Sequence, residues 1–333
     1  MPKQPLVLTP GDPDGIGPEI TWKSLKLRKR KTPILCVGAE TPFKKLKARI
    51  IKTSWDEIAA GETAPRLQKP YVWLLPAPES SSYFLPGYQA GWSIETATRL
   101  VQQGFASALV TGPISKERLN RGGFAYPGHT EFLASLCAEE GQKPREVTMM
   151  LANSKLRIAL VTIHVGLKDV SLQLTREKIR RATLQTVDHL KKWFDIKKPR
   201  VALTALNPHA GENGLFGQEE IKIITPAILE MQKELGARAI IGGPFPADTF
   251  FANQLNLPLK KRFDAVVCMY HDQGLIPVKL LDFHHTVNVT LGLPIIRTSV
   301  DHGTGFDIAG QGIANPSSLL SAIELAEKLR SHL

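Results

Sequence analysis

The sequence has few cysteines and lacks long apolar runs, and both shortages exclude classes of protein. Cys36, Cys137 and Cys268 are odd in number and far apart, so they indicate neither a disulfide framework nor a CxxC metal site. No apolar stretch approaches the roughly 20 residues that span a bilayer. The opening MPKQPLVLTPGDP also lacks the cationic and apolar regions of a secretory signal. We therefore expect a cytoplasmic protein whose cysteines are small core residues.

Composition and charge are those of a globular chain with anionic partners. The 333 residues are 43% hydrophobic and 22% charged, which is enough for two lobes with separate cores. The formal net charge is +11, and the densest basic run is KLRKRK, from Lys26 to Lys31. No RNP or zinc-finger pattern accompanies that run, so we interpret it as a solvated helix end. Attraction of phosphates and carboxylates accounts for the charge, and no nucleic-acid or membrane partner is expected.

Apolar runs of strand length recur along the chain. They are continuous rather than alternating, which is typical of strands buried on both faces. The runs are PLVLT (5–9), PILCV (33–37), YVWLL (71–75), SALVT (107–111), RIALVTI (157–163), RVALTAL (200–206), RAIIG (238–242) and DAVVCM (264–269).

Segments with helical spacing lie between or after these runs, and they are 93–103, 131–140, 176–193, 218–235 and 317–329. Alternation of strand and helix predicts an α/β fold with a largely parallel sheet. No repeat or linker divides the chain, and EGQKPR (140–145) is the best candidate for a crossing between lobes. We expect one discontinuous lobe of residues 1–140 and 290–333, and a second lobe of residues 141–289.

The first strand leads into GDPDGIGPEI, residues 11–20. Its glycines permit a tight turn, and Pro18 fits the first turn of a helix. The glycines fall at Gly11, Gly15 and Gly17, so the GxGxxG dinucleotide fingerprint is not met. This first loop (11–19) is either a structural turn or a ligand site.

Three histidines each follow an apolar strand: His164 after RIALVTI, His209 after RVALTALNP and His271 after DAVVCMY. Ligands gather at the carboxyl ends of strands in α/β sheets, so these imidazoles are expected to converge. Neutral imidazole suits zinc, manganese, cobalt or nickel, and three ligands leave positions open for a substrate. A turn or core role is the alternative for each histidine taken singly.

Other polar residues follow strands in the same way. His129 and Thr130 open a helix whose free amides and dipole favour an anion, although helix capping explains them equally well. Asp272 either orients a metal-bound histidine or is a turn residue. Lys279, Asn288 and Arg297 lie downstream of His271, and surface placement is the default for an isolated Lys or Arg.

Taken together, these motifs resemble the 4-hydroxythreonine-4-phosphate dehydrogenases of pyridoxal phosphate biosynthesis from the first strand to the last helix. The matching segments are GDPDGIGPE, TGPISK, GHTEFLA, LNPHAGENGLFGQEE, GPFPADTFF, MYHDQGLIPVK and VNVTLGLPIIRTSVDHGTGFDIAG. The closing segment HGTGFDIAGQGIANP (302–316) also looks like the part of isopropylmalate and isocitrate dehydrogenases that holds adenosine. Where the family commonly reads GDPAGIGPE, this chain has Asp14.

The resemblance implies a two-lobed isopropylmalate-dehydrogenase-like α/β/α fold with an active-site cleft, and a homodimer whose active sites use both subunits. It implies that His164, His209 and His271 bind one divalent metal, which is zinc, magnesium, cobalt or manganese. It makes His129, Thr130, Lys279, Asn288 and Arg297 substrate contacts. Gly303 and Asp307 become candidate contacts for NAD, with NADP as the alternative.

The reaction implied is oxidation of 4-phosphohydroxy-L-threonine, followed by decarboxylation to 3-amino-2-oxopropyl phosphate. A metal would lower the pKa of the substrate hydroxyl, and Lys279 or a bound water is the candidate base. Relatives that oxidise phosphorylated threonate or erythronate share nearly the same motifs. Three histidines would equally serve a metal-dependent hydrolase of a phosphorylated metabolite, and an anion-binding protein is a more distant alternative.

Overall fold

The computed structural model describes residues 4–29, 32–65 and 67–332. Each predicted apolar run overlaps a strand, and β3, β6, β11 and β12 were not predicted. The strands are β1 (Leu6–Thr9), β2 (Ile34–Gly38), β3 (Ile50–Lys52), β4 (Val72–Pro76), β5 (Leu109–Thr111), β6 (Thr148–Ala152), β7 (Arg157–Leu160), β8 (Arg200–Thr204), β9 (Ile240–Phe245), β10 (Ala265–Cys268), β11 (Val287–Leu291) and β12 (Arg297–Ser299).

Helices separate most of these strands. They are α1 (Gly17–Leu27), α2 (Thr41–Lys45), α3 (Trp55–Ala59), α4 (Leu85–Gln102), α5 (Lys116–Arg121), α6 (His129–Leu136), α7 (Leu167–Gln173), α8 (Arg176–Phe194), α9 (Thr225–Leu235), α10 (Ala247–Asn256), α11 (His271–Leu281) and α12 (Ser317–Leu329). None of the described helices is both long and apolar enough to cross a membrane.

Helix α1 ends inside the basic run of the sequence. Leu27, its last residue, is 60% exposed, and Lys26 lies over the ring of Trp22. Lys26, Leu27 and Lys29 are exposed, as predicted for a solvated helix end, whereas Arg28 is half-buried. Arg30 and Lys31 lie outside the described residues.

The chain divides into two compact units. The first contains the residues up to Glu146 together with Leu293–Ser331, and Val147–Gly292 form most of the second. In the first unit the strands follow the order β3-β4-β2-β1-β5-β12, and every pairing is parallel. In the second unit the order is β11-β6-β7-β10-β8-β9, with β6 antiparallel to β7 and to β11.

Successive side chains of β7 pack alternately into two core clusters of the second unit. Ala159 packs on the side of α8 and α9, whereas Ile158 and Leu160 pack with residues of α10 and α11. Successive strand residues point to opposite faces, so a strand covered by helices on both sides is apolar at every position. Gly274 lets α11 approach this strand closely, because a Cβ there would lie 2.4 Å from Ile158 Cγ2.

Candidate functional site

In the first unit, β12 starts with a buried cation beside the end of β5. Parallel pairing sets Arg297 opposite Leu109, and the Arg297 side chain reaches Thr111. Nη2 and Nε of Arg297 donate to Thr111 Oγ1 at 2.8 and 3.2 Å. Arg297 is only 2% exposed, and burial lowers the pKa of its guanidinium to about 9. The group is therefore still cationic at neutral pH, inside protein, where an anion would be strongly attracted.

His129 begins α6 after Gly128, and its imidazole interacts electrostatically with the guanidinium of Arg297. Burial, together with the charge of Arg297, holds the pKa of His129 well below its usual range, so the ring is neutral at pH 7. Its Nε2 is buried and has no hydrogen-bond partner among the described residues. Thr130 follows in the first helical turn and is half-buried. Anion binding at this helix start stays a prediction.

In the second unit, His164 and His271 lie side by side, with ring centroids 5.9 Å apart. Their strands end together, because Thr162 donates from Oγ1 to the backbone carbonyl of Met269 at 2.8 Å. His271 Nδ1 lies 2.7 Å from Asp272 Oδ1. A carboxylate at Nδ1 leaves Nε2 as the lone-pair nitrogen, which is the arrangement seen when histidine binds a metal.

His209 is carried by the segment Pro208–Gly214, which has unusual backbone geometry. His209, Ala210, Glu212 and Asn213 have φ values of 52, 54, 43 and 54°, in the left-handed region that costs a side-chain-bearing residue about 1–2 kcal/mol. Within the described residues, no group of three or more His, Cys, Asp and Glu side chains is close enough to hold a metal ion. The structure therefore brings His164 and His271 together without joining His209 to them, and the three-histidine metal site stays a prediction.

Two buried polar residues that the sequence reasoning missed organise the ends of these strands. Glu220 Oε1 accepts from the backbone N–H groups of Leu206 and Asn207, both at 2.8 Å, and Oε2 accepts from Asn207 Nδ2 at 2.9 Å. Gln273 accepts from Thr204 and Met269 through Oε1, and Nε2 donates to the carbonyl of Ala205. Glu220 thus anchors the loop of His209. The only sequence signal was a polar residue in an apolar helical pattern.

The remaining predicted contacts of the second unit lie on α11 and β11. Lys279 is half-buried near the C-terminal end of α11, and its Nζ is 5.9 Å from the centroid of the Phe283 ring. Asn288 lies on β11, and its Oδ1 is buried without a hydrogen-bond partner among the described residues. A buried amide oxygen of this kind is expected to meet a polar ligand.

The first loop and the closing segment meet in the first unit. Ile16 donates its backbone N–H to Thr304 O at 2.8 Å, and a Cβ on Gly15 would lie 2.8 Å from the same oxygen. Glu19 accepts from the N–H groups of Gly312 and Ala314, and Lys23 donates to both carbonyls. The close contact explains Gly15, so this part of the first loop has a structural role.

Gly303 and Asp307, the predicted cofactor contacts, are both exposed on the closing segment. A Cβ on Gly303 would meet no described atom within 4 Å. A cavity of about 530 Å³ lies beside this segment, with walls that include Asp14, Lys45, Glu79, Ala309 and Gly310. Its size and mixed polar lining suit a small-molecule ligand.

Comparison with known proteins agrees with this geometry. The model of the family described as pyridoxal phosphate biosynthetic protein PdxA matches residues 44–326. The 4-hydroxythreonine-4-phosphate dehydrogenase of Caulobacter vibrioides is 44% identical over 99% of this chain and 98% of that protein. The chain belongs to the PdxA family. The resemblance drawn from the motifs is therefore confirmed.

Solved structures place the PdxA chain in the same fold. The 4-hydroxythreonine-4-phosphate dehydrogenase of Klebsiella pneumoniae has a TM-score of 0.85 and 36% identity, covering 98% of this chain and 100% of that one. A terephthalate 1,2-cis-dihydrodiol dehydrogenase of Burkholderia xenovorans has a TM-score of 0.66 and 29% identity, with 98% coverage of both chains. The predicted α/β fold is confirmed.

Proposed function

We propose that this PdxA-family chain oxidises 4-phosphohydroxy-L-threonine with NAD and decarboxylates the product to 3-amino-2-oxopropyl phosphate, in pyridoxal 5′-phosphate biosynthesis. The observation that carries the proposal is the buried Arg297 guanidinium beside neutral His129. A buried guanidinium attracts anions strongly, and the substrate has a phosphate and a carboxylate. Named dehydrogenases that align with nearly the whole chain supply the reaction class.

The proposed binding of the substrate in the first unit follows from the protonation states of Arg297 and His129. Arg297 presents charged donors, and His129 presents a neutral ring whose buried Nε2 can exchange one hydrogen bond with the substrate. Thr130 and the first-turn amides of α6 add neutral donors. We assign one anionic group of the substrate to this cluster. In the second unit, Asn288 offers its buried amide oxygen to a donor on the substrate.

The metal proposal rests on donor chemistry and on the pairing of two rings. Imidazole nitrogen suits a divalent ion such as zinc, and Asp272 orients the ring of His271 for that role. We assign His164, His209 and His271 as ligands. When bound, the ion would act as a Lewis acid on the substrate hydroxyl and on the ketone formed from it. Lys279 is the candidate that takes the hydroxyl proton.

The nucleotide is assigned to the closing segment, with Gly303 and Asp307 among its contacts. The cavity beside Ala309 and Gly310 fits part of a dinucleotide in volume, and its walls offer both carboxylates and a lysine. NAD, when bound, would accept the hydride that leaves the substrate carbon. We place the enzyme in the cytoplasm.

We also propose a homodimer whose active sites use residues of both subunits. His164 and His209 are exposed in the single chain, which leaves room for a second subunit to complete the site. Ile276 and Leu280 are 63 and 86% exposed and lie one turn apart on the outer face of α11, and Phe283, just after the helix, is 64% exposed. Such apolar side chains on the helix that begins at His271 are expected to be covered by a partner.

The deciding experiment follows reduced nicotinamide by its absorbance after addition of 4-phosphohydroxy-L-threonine, NAD and a divalent metal. Phosphorylated threonate and erythronate are tested at the same subsaturating concentration. NADH formation that is fastest with 4-phosphohydroxy-L-threonine supports the proposal. Faster turnover of a sugar-acid phosphate moves the protein to that substrate class, and phosphate release without NADH formation indicates a hydrolase instead.

A further inference from the structure

The loops that follow β1 and β5 meet where the strand order of the first unit reverses. From β1 the chain continues to β2 on one side, whereas β5 and β12 lie on the other. Asp12 donates its backbone N–H to Pro113 O at 2.9 Å, and a Cβ on Gly11 would lie 2.0 Å from the same oxygen. Ligands of parallel sheets bind at the carboxyl ends of strands beside such a reversal.

Arg118 holds two carboxylates of the first loop at this position. Its Nη1 lies 2.7 Å from Asp14 Oδ2 and 3.3 Å from Asp12 Oδ1. The guanidinium also lies 4.2 Å from the centre of the Phe306 ring in the closing segment. Asp12 is buried, but the Asp14 side chain is 56% exposed and the Arg118 side chain is 26% exposed. Asp14 is therefore the carboxylate that a ligand can reach.

Asp14 also lines the cavity of about 530 Å³. Glu79 and Lys45 also line this cavity and balance each other in formal charge, while Glu19 is paired with Lys23 at 2.8 Å. Asp12 and Asp14 together exceed the single charge of Arg118. Asp14 thus makes the accessible charge on its side of the cavity negative. Its carboxylate also pairs with the Arg118 guanidinium, which a phosphate would otherwise bind.

We propose that Asp14 makes this site select a dinucleotide with a free ribose diol over one that carries a 2′-phosphate. The inference rests on the proposed function, because it requires the cavity to take the nucleotide. An exposed carboxylate accepts hydrogen bonds from ribose hydroxyls, and it repels a 2′-phosphate. Replacement of Asp14 by a neutral residue would remove this repulsion and release Arg118 to bind the phosphate.

The test measures dissociation constants for NAD and NADP by calorimetry on the full chain, with no turnover required. The variants are Asp14→Ala and the isosteric Asp14→Asn, with melting curves to verify folding. The control is Glu117→Ala, which changes the net charge equally. Glu117 lies on α5 beside Arg118. Its side chain is 78% exposed, and it pairs with Arg121 at 3.5 Å.

We expect the original protein to bind NAD more tightly than NADP. Asp14→Ala should lower that preference at least about tenfold, chiefly through tighter NADP binding, since a charge-assisted bond to Arg118 is worth roughly this much. Asp14→Asn should shift it in the same direction. Glu117→Ala should leave the preference unchanged.

An unchanged preference in both Asp14 variants, with NAD still bound, overturns the inference and leaves the proposed function standing. An equal shift in Glu117→Ala also overturns it, because the effect would then come from net charge. Failure of the original protein to bind either dinucleotide overturns the proposed function together with the inference.

Discussion

Arg297 donates to Thr111 Oγ1 from Nη2 at 2.8 Å and from Nε at 3.2 Å, across 186 residues of sequence. This contact orients a buried guanidinium beside His129, whose pKa it helps to lower. Arg297→Lys should keep the charge but lose the two-pronged contact, and we expect catalytic efficiency with the phosphorylated substrate to fall about tenfold to a hundredfold. Initial rates of NADH formation measure this. Arg99→Lys, on the exposed end of α4, is the matched control and should change efficiency little.

The lowered pKa of Arg297 predicts that substrate binding depends on pH. Burial lowers the pKa of Arg297 to about 9, so in the ligand-free protein the cation is present below that pH and is lost above it. Affinity for the phosphorylated substrate should therefore fall as the pH rises through about 9. A titration of the substrate's dissociation constant from neutral to alkaline pH tests this. A flat profile through pH 10, in protein that remains folded, would contradict the loss of the Arg297 charge near pH 9.

Replacement of His164, His209 or His271 by Ala should weaken binding of Co²⁺ or Zn²⁺ and reduce turnover severely. Chelation of the original protein should abolish turnover, and a divalent metal should restore it. Metal content and calorimetric titration provide readouts besides activity. The exposed His332 is the control position, where Ala should change neither. Full activity in metal-free protein contradicts the assignment.

His189 is not a neutral control, although its position in α8 suggests tolerance of substitution. Its Nδ1 lies 2.6 Å from Gln185 O, and Gly292 donates its N–H to Nε2 at 3.2 Å. The ring also stands edge-on to Trp193, with centroids 4.1 Å apart. We expect His189→Ala to lower the free energy of unfolding by about 1–3 kcal/mol while metal stoichiometry is preserved. Urea unfolding and metal analysis separate the two effects.

Glu220→Ala should release the left-handed segment that carries His209. The backbone N–H groups of Leu206 and Asn207 would lose their shared acceptor, and the strained residues could relax. We expect metal affinity to fall about tenfold or more, as for other groups that orient ligands. Glu220→Gln keeps one acceptor oxygen and should lose less. Glu230→Ala, at a half-exposed ion pair on α9, is the control and should leave the affinity unchanged.

The cysteines should be inert in the native protein. All three are buried free thiols, and burial raises the pKa of Cys36 to about 12, of Cys137 to about 11 and of Cys268 to about 12. The thiolate is the reactive form, so it is scarce at neutral pH. A disulfide reagent at pH 7.5 should react with none of them until denaturant is added. Rapid labelling of the folded protein would contradict this burial.

The sequence by itself determined eight of the twelve strands in the described residues. Apolar runs such as RIALVTI and DAVVCM can pair their backbone hydrogen-bonding groups and bury both faces only inside a sheet that helices cover on both sides. The strands β7 and β10 therefore followed from the sequence pattern alone. The runs missed were short or partly polar. Thr148–Ala152 and Val287–Leu291 form an antiparallel ladder whose register depends on pairing between segments more than 130 positions apart, which local periodicity does not record.

Tertiary structure decided the state of the functional groups. Surface placement was the default for Arg297, and only its pairing with β5 shows that it is buried and electrostatically coupled to His129. Arg118 and Glu220 were missed because their roles depend on Asp14 and on backbone N–H groups that folding brings to them. Chemistry-bearing residue types are visible in a sequence. Burial, protonation and hydrogen-bond partners arise from contacts between distant segments, so only the folded chain specifies them.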